Sequence, residues 1–196
     1  MIKRLFDIVF SLIGLILLLP LLLIIALIIK VESKGSVFYK QVRVGKNNTN
    51  FKIFKFRTMF IGSDKKGLLT VGNKDPRVTK TGYFLRKYKL DELPQLINVL
   101  LGNMSFVGPR PEVRHYVNFY SKDDLIILTV KPGITDYASI YFRNEVEILK
   151  GSDNPEKLYI EQILPKKIAL NKHYIENNNL LTDIKIILRT ILTIIS

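Results

Sequence analysis

Two adjacent carboxylates, Asp91 and Glu92, stand in the run Leu90-Asp91-Glu92-Leu93-Pro94-Gln95 and are the sole acids between Asp75 and Glu112. The same interval carries Arg77, Lys80, Arg86, Lys87, Lys89 and Arg110. Carboxylates set among cations and free helix N–H groups are expected to stay ionised at neutral pH. An ionised carboxylate can attack phosphorus or bind a divalent cation. The competing role is structural. Apolar residues at 93, 96, 97 and 100 predict a helix, with Pro94 in its first turn and Gly102 just beyond its end. Asp91 and Glu92 would then sit at its N-terminus, where acids cap the chain and complement the dipole. Further on, Gly108-Pro109-Arg110-Pro111-Glu112 fixes an arginine between two prolines. Such a backbone has fewer conformations to lose when the guanidinium binds a phosphate or a base edge.

Other chemistries are excluded by what is missing. With no cysteine among 196 residues there is no thiolate nucleophile, disulfide or Cys-ligated metal. Gly62-Ser63-Asp64-Lys65-Lys66-Gly67 has the glycine spacing of a phosphate-binding P-loop, but Leu68 and Leu69 occupy the Lys and Ser/Thr positions. No G-x-G-x-x-G occurs, so a dinucleotide-binding turn is equally unsupported. The two histidines, His115 and His173, are far apart and outside any H-E-x-x-H pattern.

The elements that must position the carboxylates can be read in outline. Val37 to Val44 and Phe51 to Met59 are β-branched and aromatic runs separated by Gly45-Lys46-Asn47-Asn48, which predicts a β-hairpin. In its second strand Phe54 and Phe56 alternate with Lys55 and Arg57, so one face carries two cations side by side. Lys65 to Lys80, with Gly67, Gly72, Asp75 and Pro76, reads as a long loop, of the kind that is often functional.

Charge and hydropathy place these elements near lipid. Lys and Arg total 30 against 17 acids, a net charge of +13, yet 47% of residues are hydrophobic. That combination excludes a disordered basic tail. Lys30 to Lys89 holds 16 basic residues and three acids, which is the whole excess. It follows an uncharged stretch of 18 residues, Leu12 to Ile29, flanked by Lys3 and Arg4 before and Lys30 and Lys34 after. A straight helix of that length reaches about 27 Å, short of a hydrocarbon core of roughly 30 Å once tilted. Pro20 removes a backbone hydrogen bond near its middle and predicts a bend or break. Cations at both ends favour the same membrane side for both, hence a re-entrant helix–break–helix. A kinked single span, a cleaved signal peptide and a buried core helix are the rival readings. Leu180, Leu181, Ile184, Ile187, Leu188, Ile191, Leu192 and Ile195 recur at helical spacing, predicting a C-terminal amphipathic helix on either a membrane or the domain core.

Taken in order, these motifs resemble the bacterial sugar transferases, the monotopic phosphoglycosyl transferases, in their minimal form. The resemblance runs through the Pro-broken apolar segment, Lys55-Phe56-Arg57-Thr58-Met59, Asp75-Pro76-Arg77-Val78-Thr79, Leu90-Asp91-Glu92-Leu93-Pro94-Gln95 with Asn98, Gly108-Pro109-Arg110-Pro111-Glu112, and Lys131-Pro132-Gly133-Ile134-Thr135. It implies an α+β, mostly helical monotopic membrane protein: a re-entrant membrane helix over residues 1–30 and a cytoplasmic catalytic domain over 31–196. A small β-hairpin and amphipathic interfacial helices belong to that domain.

The implied reaction moves a sugar-1-phosphate from a UDP-sugar to polyprenyl (undecaprenyl) phosphate at the cytoplasmic face of the bacterial inner membrane. In it Asp91 forms a covalent phosphosugar ester and UMP leaves. Glu92 is implied as the Mg2+ residue. Lys55, Arg57, Arg86, Arg110 and Arg143 are the basic positions expected to contact phosphate or uridine, and Asp183 matches a further functional aspartate. Anionic lipids are expected partners and nucleic acid is not. The alternative is a non-enzymatic membrane-anchored adaptor whose basic block binds anionic lipid or nucleic acid. Two departures stand out: Leu19 precedes the break proline where the family commonly has Ser, and Asp136 to Asn144 replaces a Gly-rich stretch, so the donor sugar is left open.

Overall fold

The computed structural model describes residues 2–63, 69 and 75–195. Most of the loop predicted over Lys65 to Lys80, including Gly67 and Gly72, lies outside them. The architecture is α+β and mostly helical. A long apolar helix α1 (Ile2–Glu32) leads into strands β1 (Phe38–Val44) and β2 (Asn50–Phe56). Then come α2 (Lys80–Lys87), a 3-10 turn over Leu90–Glu92, α3 (Gln95–Leu101) and β3 (Ser105–Val107). After α4 (Arg114–Val117), β4 (Gly133–Thr135) precedes a run of helices: α5 (Tyr137–Tyr141), α6 (Glu145–Lys150), α7 (Pro155–Leu158), α8 (Leu164–Glu176) and α9 (Leu180–Ile195).

The hairpin forms as the sequence predicts, antiparallel with Phe38 opposite Phe56 and Val44 opposite Asn50. Helix α3 packs between it and α1. On the hairpin side the buried amide of Asn98 imitates a neighbouring strand: its Oδ1 accepts from the Phe54 N–H at 2.9 Å and its Nδ2 donates to the Lys52 carbonyl at 2.8 Å. That satisfies the free edge of β2, which would otherwise face a helix with unpaired polar groups. On the other side the Arg4 guanidinium donates to the Val99 and Leu100 carbonyls at 2.6 and 2.8 Å, closing the C-terminal turn of α3. Gly102 sits there in the left-handed region at φ 86°, as its position in the sequence predicts.

The expected break at Pro20 is not present in the secondary structure: α1 is helical from Ile2 to Glu32 with Pro20 inside it. Proline removes one ladder bond, and the flanking turns of a long apolar helix hold the rest. The protected positions Asp7, Ser11, Leu15, Leu18, Leu22, Ile25 and Ile29 form one stripe that continues past the proline. Ile25 and Ile29 pack with Phe56 and Leu85. The other faces are apolar and uncovered, Leu17, Leu23 and Leu27 among them.

Strands β3 and β4 form a short parallel pair, Ser105 opposite Gly133 and Val107 opposite Thr135. The two segments then cross so closely that a Cβ on Gly133 would lie 2.1 Å from the Gly108 nitrogen. Glycine is therefore required at this crossing, and the crossing aims the Pro109-Arg110-Pro111 arm.

Candidate active site

The carboxylate pair is presented by a turn tighter than the expected helix start. Lys89 takes a left-handed conformation at φ 56°, uncommon for a residue with a side chain, and the 3-10 turn Leu90–Glu92 follows. Helix α3 begins only at Gln95, after Pro94, and no side chain caps it. The capping role is thus not the one the two acids take.

Glu92 is held by two cations from separate parts of the fold. Lys55 of β2 donates to its Oε1 at 2.7 Å, Arg110 donates to the same oxygen, and Arg110 Nη1 donates to Oε2 at 3.1 Å. The backbone beneath Arg110 is fixed as well. Its N–H donates at 3.0 Å to Oδ2 of the fully buried Asp136, whose Oδ1 accepts from the Ser139 N–H and caps α5. Arg86 reaches the same neighbourhood from α2, with its Nε donating to Thr58 Oγ1 at 2.9 Å. The turn that carries it packs so tightly that a Cβ on Gly82 would strike the Thr58 carbonyl at 2.0 Å.

Electrostatics separates the two acids. Burial alone would raise Glu92, but the charges of Arg110 and then Lys55 outweigh it and hold Glu92 well below the usual carboxylate range. Asp91 moves the other way: burial and the adjacent Glu92 charge raise it, opposed by Lys55, Arg86 and Lys89. Both acids lie among cations as the sequence predicts, but burial weighs against the anion at Asp91 while Arg110 and Lys55 favour it at Glu92. Asp91 is 8% exposed, and its Oδ1 is buried without a hydrogen-bond partner among the described residues.

A divalent cation fits this donor set in part. No cluster of three or more His, Cys, Asp or Glu residues occurs among the described residues. Oε1 of Glu92 already accepts two bonds while Oε2 accepts one, so Glu92 Oε2 and Asp91 Oδ1 are the oxygens with lone pairs to offer. Two carboxylates completed by phosphate oxygens and water match the way Mg2+ is ordinarily held.

Two of the expected site residues, Arg57 and Asp183, bond away from the carboxylate pair. Arg57 does not stay beside Lys55, because β2 ends at Phe56 and its side chain turns to the C-terminus of α1. There it donates to the carbonyls of Ser33 and Lys34 at 2.7 and 2.9 Å and to Ser33 Oγ at 2.9 Å. Asp183 bridges helices: its Oδ2 accepts from Lys3 Nζ at 2.5 Å and its Oδ1 from Tyr174 Oη at 2.7 Å. Arg143 is exposed in the turn between α5 and α6. Asp136 also supports the site without belonging to any of the motifs, and the signal for it is an aspartate immediately before the helix that opens at Tyr137.

The family model described as bacterial sugar transferase matches residues 1–196. The UDP-N-acetylgalactosamine-undecaprenyl-phosphate N-acetylgalactosaminephosphotransferase of Aeromonas hydrophila is 37% identical over 198 residues, covering 100% of this chain and 44% of that protein. The exopolysaccharide production protein ExoY of Sinorhizobium fredii is 35% identical, covering 96% of this chain and 83% of the relative. The UDP-glucose:undecaprenyl-phosphate glucose-1-phosphate transferase of Escherichia coli is 38% identical, covering 97% of this chain. The chain spans 39% of that last protein, so it corresponds to part of some relatives and most of another.

Proposed function

The chain belongs to the bacterial sugar transferase family, and from that premise we propose that it transfers a sugar-1-phosphate from a UDP-sugar to undecaprenyl phosphate through an ester on Asp91. The observation that carries the reading is the buried Oδ1 of Asp91, without a hydrogen-bond partner among the described residues, beside a Glu92 that two cations lock as an anion. An Asp91 oxygen attacks the sugar-bearing phosphorus, the P–O bond to UMP breaks, and UMP leaves with the bridging oxygen. An oxygen of the lipid phosphate then attacks the same phosphorus, the aspartyl ester breaks, and the carboxylate is restored.

Lys55, Arg86 and Arg110 offset the repulsion between an anionic diphosphate and an anionic nucleophile. Their cost of reorganisation is low, because Lys55 and Arg110 are already fixed by Glu92, and Arg110 by Asp136 beneath it. Mg2+, held by Glu92 with Asp91, would supply further neutralisation of the diphosphate. A lipid-bound acceptor requires the site to lie at headgroup depth, at the cytoplasmic face of the bacterial membrane. The excess of cations in residues 30–89 favours that surface.

The test is direct. Protein held in nanodiscs with Mg2+ and a panel of UDP-sugars should release UMP and gain the mass of one phosphosugar, which undecaprenyl phosphate then removes. Absence of the adduct with every donor would overturn the assignment.

Re-entrant topology belongs to the same proposal. It is supported by the two ends of α1 bonding to one domain: Lys3 and Arg4 to β3, α8, α9 and α3, and the C-terminal carbonyls to Arg57. A spanning helix would have to carry one of these ends away from its partners. The chain has no native cysteine, so single Ile2→Cys and Lys34→Cys variants report unambiguously. Both should resist an impermeant maleimide in spheroplasts and react after lysis. Labelling of one site alone before lysis would establish a span.

A further inference from the structure

Arg110 borders a second feature besides the carboxylate pair. It lines a cavity of about 220 Å³ whose other polar walls are Arg43, Glu112, Tyr116, Glu145, Tyr159 and Lys167. The walls are linked to one another. Tyr159 Oη donates to Glu112 Oε1 at 2.5 Å, and Lys167 Nζ lies 2.5 Å from Glu145 Oε2 and 3.3 Å from Tyr159 Oη. Arg43 donates to the Pro111 carbonyl at 3.0 Å and stands 3.8 Å from Glu112. Tyr159 opens a single π-helical turn, Tyr159–Ile163, between α7 and α8, and turns of this kind recur at functional sites.

Within this network Tyr116 is the exception. It is 3% exposed, its ring packs 4.6 Å from that of Tyr159, and its hydroxyl has no hydrogen-bond partner among the described residues. A buried polar group left unpaired is a net cost to the fold, a penalty that a ligand able to pair with it removes. Burial, with Glu156, Glu112 and Glu145 nearby, pushes this hydroxyl up to about 12, so it remains a donor at neutral pH.

We propose that this cavity binds the hexose of the nucleotide sugar, with Tyr116, Glu145 and Lys167 reading its ring substituents. The inference rests on the phosphoglycosyl transfer reading above. Three features favour a hexose. The sugar is bonded directly to the oxygen of the phosphorus under attack, so its site must abut the nucleophile, and Arg110 forms a wall of both. The space is below the roughly 300 Å³ at which drug-sized sites begin, which suits one ring. The walls alternate carboxylate acceptors with ammonium, guanidinium and hydroxyl donors, as hydroxyls that both donate and accept require. A uracil ring would call for an open aromatic face instead, and the Tyr116 and Tyr159 rings are tilted 48° against each other.

Tyr116→Phe tests this in the full chain in nanodiscs, with Glu145→Gln as a second variant. Removing an unpaired buried hydroxyl should leave the Tm of the free protein unchanged or raise it. The same change should lower kcat/KM for the preferred UDP-sugar roughly three- to tenfold, the worth of one hydrogen bond. Discrimination between that donor and its epimers should fall in step, while inhibition by UMP, which has no sugar, stays the same. A drop in Tm accompanying the loss would make Tyr116 structural. Weaker UMP inhibition in step with kcat/KM would make the cavity a nucleotide site, and unchanged discrimination in both variants would remove the sugar from it. In each case wild-type UMP release would leave the parent reading standing. If the wild type released no UMP from any UDP-sugar, that reading would fall and this inference with it.

Discussion

Asp91→Asn is expected to cut UMP release from the preferred UDP-sugar by roughly 10³-fold or more and to abolish the phosphosugar adduct, as loss of a covalent nucleophile does. The same variant should be at least as stable as the wild type at neutral pH. Burial and the Glu92 charge raise Asp91, so the folded state binds a proton more readily than the unfolded chain does. For an acid shifted in this direction, the favourable contribution is present at low pH and is lost as pH rises through the folded value. Ionising Asp91 is therefore a net cost to the fold, and a neutral amide of the same shape removes that cost. Thermal unfolding at pH 7 should show Tm equal or higher in Asp91→Asn, while intact-mass measurement shows no ester. Wild-type turnover would refute the nucleophile. A clear loss of Tm would show that the carboxylate is a structural anchor.

Much of the scaffold around that residue is legible in the chain itself. The β-hairpin follows from its turn residues and β-branched runs, and the end of α3 from Gly102, because local backbone preferences fix both. The convergence of Lys55, Arg86 and Arg110 on the acids follows from charge context in outline. What the chain does not display is partner choice. Lys55 and Arg57 share a predicted strand face, yet the strand ends between them and Arg57 finds carbonyls at the end of α1 instead. Asp183 was matched by motif, but pairing with Lys3 across 180 residues depends on how α1 and α9 meet. Pro20 predicts a bend or a break from local chemistry, and of the two the break is absent, because the turns on either side keep the segment helical. Likewise, two adjacent acids look equivalent in a sequence, and only the positions of Lys55 and Arg110 decide which of them is neutralised.

That division gives Glu92→Gln an effect on stability opposite to that of its neighbour. Glu92 is held well below the usual carboxylate range by Arg110 and Lys55. An acid lowered in this way contributes stability above its unfolded-state pKa and loses it as pH falls through the folded value. Replacing it with an amide leaves Lys55, whose side chain is 18% exposed, without its counter-charge. Burial already lowers Lys55, and Glu92 is the main influence raising it, so the substitution should bring Lys55 closer to losing its proton. The expected loss is about 3 kcal/mol, the lower end for breaking a buried pair, because the Arg110 side chain is 34% exposed and partly solvated. The deficit should be full at pH 7 and shrink as pH falls into the range where Glu92 itself would protonate. Activity should fall as well, and the Mg2+ concentration needed for half-maximal rate should rise if Glu92 Oε2 is a ligand. Chemical denaturation across pH, run beside a Mg2+ titration of UMP release, measures both. An unchanged metal titration would remove Glu92 from the cation site without touching its role as counter-ion. A Tm raised as in Asp91→Asn would instead refute the division itself, since two carboxylates that both destabilise the fold cannot be a locked anion and a poised nucleophile.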